Sequence, residues 1–153
     1  MKSETKASVD LRDWDTRFLD LAEHISKWSK DPSTKVGAVI FDSDKRIVSV
    51  GYNGFPKNID DDPEKYLNRD IKYQMVVHAE INAILFAQRN LKDCSIATWP
   101  FISCSNCTSA IIQTGIKKIV SPKLPENLIS RWGKSCEISL EMYKQAGVEV
   151  VLL

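Results

Sequence analysis

One histidine, one carboxylate and two cysteines constrain this chain more than any other feature. They stand as His78-Ala79-Glu80 and, about two dozen residues later, Cys104-Ser105-Asn106-Cys107. An imidazole and two thiols hold a zinc ion on three sides and leave the fourth position open, the mark of a catalytic rather than a structural site. The spacing then dictates local structure. In mid-helix, positions 78 and 80 would point about 200° apart, given ~3.6 residues per turn. They serve one site only at a helix N-terminus. Cys104 and Cys107, three apart, share a face in the first turn of a second helix. Two helix N-termini must therefore converge, and their positive dipole ends favour thiolates. Glu80 is not needed as a ligand. A spare carboxylate beside a zinc-activated water is equipment for hydrolysis, with Glu80 as the proton shuttle.

Each element has a plainer reading. A lone histidine on an apolar helix is usually a core residue, and a lone Cys-x-x-Cys is a redox pair or half of a structural zinc site. Their combination with Glu80 favours catalytic zinc; a non-catalytic zinc module would need no Glu80. His24 reads as a surface residue, and Cys94 and Cys136 as free thiols. The chain has 153 residues and 43% hydrophobic residues, enough for one domain with a packed core. A formal net charge of +1 without a long basic run argues against a nucleic-acid-binding face. No secretory h-region and no transmembrane-length apolar stretch is evident, so the expectation is a soluble, cytoplasmic protein with no membrane partner.

Residues 1–12 read as a flexible polar arm and 13–153 as a single domain. Trp14, Phe18, Leu21, Ala22, Ile25 and Trp28 recur at helical spacing, which predicts a helix from Asp13 to about Ser29 with both tryptophans in its core stripe. Val36 to Phe41 and Ile47 to Tyr52 form a hairpin across Asp42-Ser43-Asp44. Asn53 to about Lys72 reads as a long loop, functional as a lid or else solvated, with a short helix near Glu64 to Leu67. Val77 to Arg89 is apolar on almost every face and is expected to be buried. A strand at Ser95–Thr98, a helix at Cys104–Thr114, a strand at Lys118–Val120, a helix at Ser135–Ala146 and a strand at Val148–Leu153 follow. The whole predicts an α/β fold of three α-β-α layers around a mixed five-stranded sheet.

Beyond the metal motif, Ser29-Lys30-Asp31-Pro32-Ser33-Thr34-Lys35-Val36-Gly37-Ala38, Gly51-Tyr52-Asn53-Gly54-Phe55-Pro56, His78 through Ile84 and Cys107 through Gly115 resemble, in order and spacing, the deoxycytidylate (dCMP) deaminases of the zinc-dependent cytidine deaminase superfamily. The resemblance covers about residues 14–121 strongly. It implies the cytidine deaminase-like fold and hydrolysis of dCMP to dUMP and ammonia, feeding dTMP synthesis. The alternative substrates are dCTP, or a cytosine or adenine base in nucleic acid. It implies one zinc per chain on His78, Cys104 and Cys107, since no second set of ligands is evident. Substrate contacts fall at Asn53, which holds the sugar, and at Val36, Ala79 and Thr98. It further implies a homo-oligomer, often a hexamer, activated by dCTP and inhibited by dTTP. One position departs from the pattern: the family has proline before the first cysteine, whereas Ser103 stands here.

A nucleotide phosphate needs cations near the pocket mouth. Lys30 and Arg89 are the candidates. Lys30 flanks the segment entering the first strand. Arg89 lies more than two turns from the zinc of its own chain, at the place where phage-type relatives carry an arginine directed at a neighbouring subunit's site. Its plainer reading is a helix-end arginine bonding the last carbonyls.

Overall fold

The computed structural model describes residues 11–153; residues 1–10, most of the expected arm, lie outside the described residues. The elements are α1 (Trp14–Ser26), β1 (Gly37–Phe41), β2 (Ile47–Tyr52), α2 (Pro63–Leu67), α3 (Arg69–Met75), α4 (Ala79–Ala87), β3 (Ser95–Trp99), α5 (Ser105–Gln113), β4 (Lys118–Ser121), α6 (Ile129–Ala146) and β5 (Glu149–Leu152), with a 3₁₀ turn at Glu126–Leu128. The five strands run in the order β2-β1-β3-β4-β5. β1 pairs antiparallel with β2 and β3, and β3-β4 and β4-β5 pair in parallel. The expected mixed five-stranded sheet is the one observed.

Strand periodicity sorts the core into two layers. Val39, Phe41, Ala97 and Val120 face Phe18, Leu19, Ala22 and Ile25 of α1. Ala38, Ile40, Ile96 and Ile119 face the other way, onto Ala79 and Ala83 of α4, Ile111 of α5 and Tyr143 of α6. Two glycines set how closely helices approach. A Cβ on Gly37 would strike the Ala22 carbonyl and lie 2.6 Å from the Ser26 nitrogen, so β1 runs against the α1 backbone. A Cβ on Gly51 would strike the Ala79 carbonyl and lie 2.5 Å from the Ala83 nitrogen. The helix that begins beside His78 is therefore seated directly on the β2 backbone.

Four expectations need correction. α1 stops at Ser26, so Trp28 falls beyond the stripe; Trp14 and Trp28 are 47% and 53% exposed rather than core. Trp14 stacks on Phe18, and Trp28 meets Tyr52 edge-on. α4 is not buried all round, because only its Ala79, Glu80 and Ala83 side meets the sheet; Leu85 and Phe86 are 61% and 49% exposed. The region expected to be loop with one short helix carries two, since Asn68 accepts from the Ile71 N–H at 3.3 Å and starts α3. α6 starts at Ile129 rather than Ser135, continuing through Gly133. Among the described residues, no helix is long and apolar enough to cross a membrane.

Gly51→Ala is expected to lift α4 from β2 and destabilise the protein by about 1–3 kcal/mol, the usual range for overpacking. A fall in urea midpoint at unchanged m-value checks this; an unchanged midpoint would contradict so close a seating.

Candidate active site

Two helices begin at the site. His78 is the N-cap of α4 with extended backbone, and Glu80 is the second residue of that helix. Cys104 is the N-cap of α5, where its sulfur accepts from the Cys107 N–H at 3.5 Å. The segment before His78 is pinned to the end of β2: Val77 N–H donates to the Gly54 carbonyl at 2.8 Å, and Gly54 N–H donates back at 3.2 Å. α5 follows β3, which fixes the cysteines at the other side of the cleft. The outcome is that His78 Nδ1 lies 3.2 Å from Cys107 Sγ and 3.5 Å from Cys104 Sγ. The three donor atoms all lie within 4.8 Å of one another. One nitrogen and two sulfurs so spaced fit zinc by both distance and donor type, with one tetrahedral position left over. His78 is exposed, Cys104 intermediate and Cys107 buried, so the group opens toward His78.

The two thiols are shifted in opposite directions. The Cys107 thiol hydrogen-bonds Cys104 and, with His78 and the Cys107 N–H, holds Cys104 down at about 4 against the opposing effect of burial. The same bond to Cys104, together with burial, pushes Cys107 far up. His78 is raised, chiefly by its hydrogen bond to the Cys104 sulfur. Glu80 is buried, and desolvation raises it above the usual carboxylate range.

The donors open into a cleft. It is lined by Asp31, Thr34, Val36 and Asn53, by Lys72, Tyr73 and Val76 of the 53–77 segment, by His78, Ala79 and Glu80, and by Phe101, Ile102, Cys104, Arg131 and Trp132. Asn53 is held by the backbone next to it: its Oδ1 accepts from Val36 N–H at 2.9 Å and its Nδ2 donates to the Thr34 carbonyl at 2.9 Å. Thr98 does not reach the cleft; it is fully buried, with its hydroxyl donating to the Phe101 carbonyl at 3.1 Å. Lys30 lies outside as well, in a separate depression with Pro32 and Tyr66, its ammonium 2.5 Å from Asp61. Arg89 lines a third depression with Ile84 and Leu91 and donates to the Asn90 carbonyl at 3.1 Å.

Among the described residues, the cations that line the cleft are Lys72 and Arg131, which sequence reasoning missed. Lys72 is buried, with Nζ 3.1 Å from Asp31 Oδ2. Arg131 lies 4.9 Å over the Trp132 ring, which stacks on Phe101 at 5.6 Å. Lys72 lies in a segment whose sequence reads as loop, and Arg131 and Trp132 precede Ser135, where the sequence pattern places the start of the last helix.

Residues 12–122 match the model of the cytidine and deoxycytidylate deaminase zinc-binding region. An uncharacterized deaminase in the luxG 3′ region of Aliivibrio fischeri is 50% identical over 140 residues, 92% of this chain and 93% of its own. Human deoxycytidylate deaminase is 38% identical over 123 residues, covering 75% of this chain and 67% of its own. Among solved structures, the apo dCMP deaminase of cyanophage S-TIM5 superposes with a TM-score of 0.68 at 22% identity, over 91% of this chain and 96% of its own. That likeness is one of fold, the three-layer cytidine deaminase-like arrangement.

Cys104 is expected to be the first thiol alkylated in zinc-free protein. Its pKa is depressed, so the thiolate persists from alkaline pH down to about 4 and is lost only below that. Cys94 and Cys136 are buried and shifted upward, so their thiolates fade as pH falls from the alkaline side. Peptide mapping after iodoacetamide at pH 6 checks this. Equal labelling of Cys104 and Cys94, or no protection by added zinc, would contradict the assignment.

Proposed function

Because the chain belongs to the zinc-binding cytidine and deoxycytidylate deaminase family, and so is a zinc-dependent deaminase, we propose that it converts dCMP to dUMP and ammonia. The observation that carries this reading is the His78–Cys104–Cys107 donor group, within 4.8 Å, at a cleft that holds a buried Glu80 and two cations. His78 through Nδ1 and the two cysteines through their sulfurs would hold the zinc, one ion per chain. When bound, zinc supplies a Lewis acid that activates water near neutral pH.

Glu80 would take one proton from the attacking water as its oxygen adds to the ring carbon bearing the amine, and pass it to the ring nitrogen; it would then take the proton left on the added hydroxyl and pass it to the amine, so that the carbon–nitrogen bond breaks, ammonia leaves and the carbonyl forms. Its burial keeps a proton on the carboxyl at higher pH than usual, which suits a group that must both accept and return one. Its place in the first turn of α4, outside the donor group, leaves it free to move protons. The base lies between Val36 and Ala79 on one side and the Phe101–Trp132 wall on the other. Asn53 stands where the sugar enters, its amide oriented by the Thr34–Val36 backbone. Lys72 and Arg131 face the phosphate by charge-assisted hydrogen bonds. Lys30 plays no part within its own cleft, and Arg89 acts only across a subunit boundary in a homo-oligomer. Control by dCTP and dTTP, with the segment from Asn53 to Lys72 as the part that moves, belongs to the same reading, as does a cytoplasmic role in supplying dUMP for dTMP synthesis.

Ammonia release from dCMP, dCTP, deoxycytidine and single-stranded DNA tests the proposal. dCMP is expected to be turned over fastest; fastest turnover of the DNA strand would move the activity to nucleic acid. Glu80→Gln is expected to keep zinc and fold while losing about 10²–10⁴-fold in turnover, the range for one general acid–base group. Near-normal turnover of zinc-loaded Glu80→Gln would rule out the proton shuttle. Arg131→Ala is expected to weaken kcat/KM for dCMP about tenfold or more while leaving deoxycytidine little changed, as for a lost charged hydrogen bond. Equal losses on both substrates would remove Arg131 from the phosphate.

A further inference from the structure

Behind the two cysteines, four hydroxyl side chains form a closed relay. Ser103, Thr108, Ser139 and Tyr143 are all buried. Tyr143 OH lies 2.6 Å from Ser103 Oγ, and Ser103 Oγ lies 2.7 Å from Thr108 Oγ1. Thr108 Oγ1 donates to Ser139 Oγ at 2.9 Å, and Ser139 Oγ donates to the Ser103 carbonyl at 2.7 Å. Each hydroxyl carries one proton, and the carbonyl only accepts. The polarity is therefore fixed. Tyr143 donates to Ser103, Ser103 to Thr108, Thr108 to Ser139, and Ser139 back to the Ser103 backbone. Every proton has an acceptor, and the Thr108 hydroxyl also lies 3.4 Å from the Ser103 carbonyl. A buried network satisfied in this way holds its members in one arrangement.

The relay converges on the residue before Cys104, gripping both its side chain and its carbonyl. Its outer members come from one stripe of α6. Ser135, Ser139 and Tyr143 follow at i, i+4 and i+8, and Ser135 Oγ accepts the Ser105 N–H at 3.2 Å. Three successive turns of α6 thus hold the backbone on both sides of Cys104. The general signature of zinc nucleobase deaminases puts a proline before the first cysteine, and a proline fixes its own φ. Serine fixes nothing through its covalent geometry.

We propose that Tyr143, Ser103, Thr108 and Ser139 are positioning residues that hold Cys104 in register for the metal, a task that the signature gives to proline. The proposal rests on the reading of His78, Cys104 and Cys107 as the zinc ligands. Second-sphere groups that orient a ligand typically contribute about 10–100-fold in metal affinity.

Zinc dissociation constants from competition with a chromophoric chelator, together with the melting temperature of the zinc-free protein, test it. Tyr143→Phe removes one hydrogen bond and orphans no donor, since Ser103 still donates to Thr108. It is expected to weaken zinc binding about 10–100-fold. Ile119→Val, a core substitution in β4, lowers zinc-free stability without touching the relay and is expected to leave zinc affinity unchanged. Tyr143→Phe with zinc affinity within about twofold of the parent, or lowered no more than in Ile119→Val, would overturn the proposal. Undiminished zinc binding by Cys107→Ala would instead overturn the ligand assignment, so the two failures are distinct.

Discussion

Three donor atoms from residues 26 and 29 positions apart in the chain lie within 4.8 Å of one another, and no covalent link holds them together. Their meeting depends on two helices starting at one point. The sheet fixes those starts. β2 seats α4 through the bare face of Gly51, and β3 delivers the chain to Cys104. Zinc bound to such a set stabilises the folded chain, because the unfolded chain offers no assembled site. Folding and metal binding are thus coupled, and the second layer of α6 contacts behind Cys104 belongs to the same coupling.

Charge in the cleft is arranged economically. The chain is nearly neutral, at +1, yet two cations line a single opening. One of them, Lys72, is buried and has an aspartate partner, as a buried ammonium requires. The other, Arg131, is exposed and rests on an aromatic face. A monoanionic or dianionic ligand suits this pair better than a polyanionic strand, which would need basic residues spread along a face. The exposed side of α4, with Leu85 and Phe86, is a different matter. Its apolar sequence is not accounted for by packing within one chain, and it lies on the helix that ends just before Arg89.

Much of this was legible in the sequence because the relevant signals are local. Two-residue and three-residue spacings in His78-Ala79-Glu80 and Cys104-x-x-Cys107 specify helix starts, and apolar runs such as Gly37–Phe41 specify a buried strand. Signals that depend on distant partners were not legible. Trp14 and Trp28 fit a helical stripe, but Trp14 stands at the first position of α1 and Trp28 beyond its end, and both are exposed. Lys30 is suggested by its place beside the first strand and Arg89 by the phage-type pattern, whereas Lys72 and Arg131 reach the cleft through α3 and the first turn of α6. Ser103 was visible only as a departure from a family pattern; its partners Ser139 and Tyr143 lie far along the chain and carry no local sign of the relay.

The central claim is a zinc ion held by one imidazole and two thiolates with one position open. Zinc-edge X-ray absorption on protein purified without chelator tests it most directly. The expected spectrum contains two sulfurs at about 2.3 Å and nitrogen or oxygen scatterers at about 2.0–2.1 Å, one of them an imidazole, at one zinc per chain. Four sulfurs, or a first shell with no sulfur at all, would contradict the account.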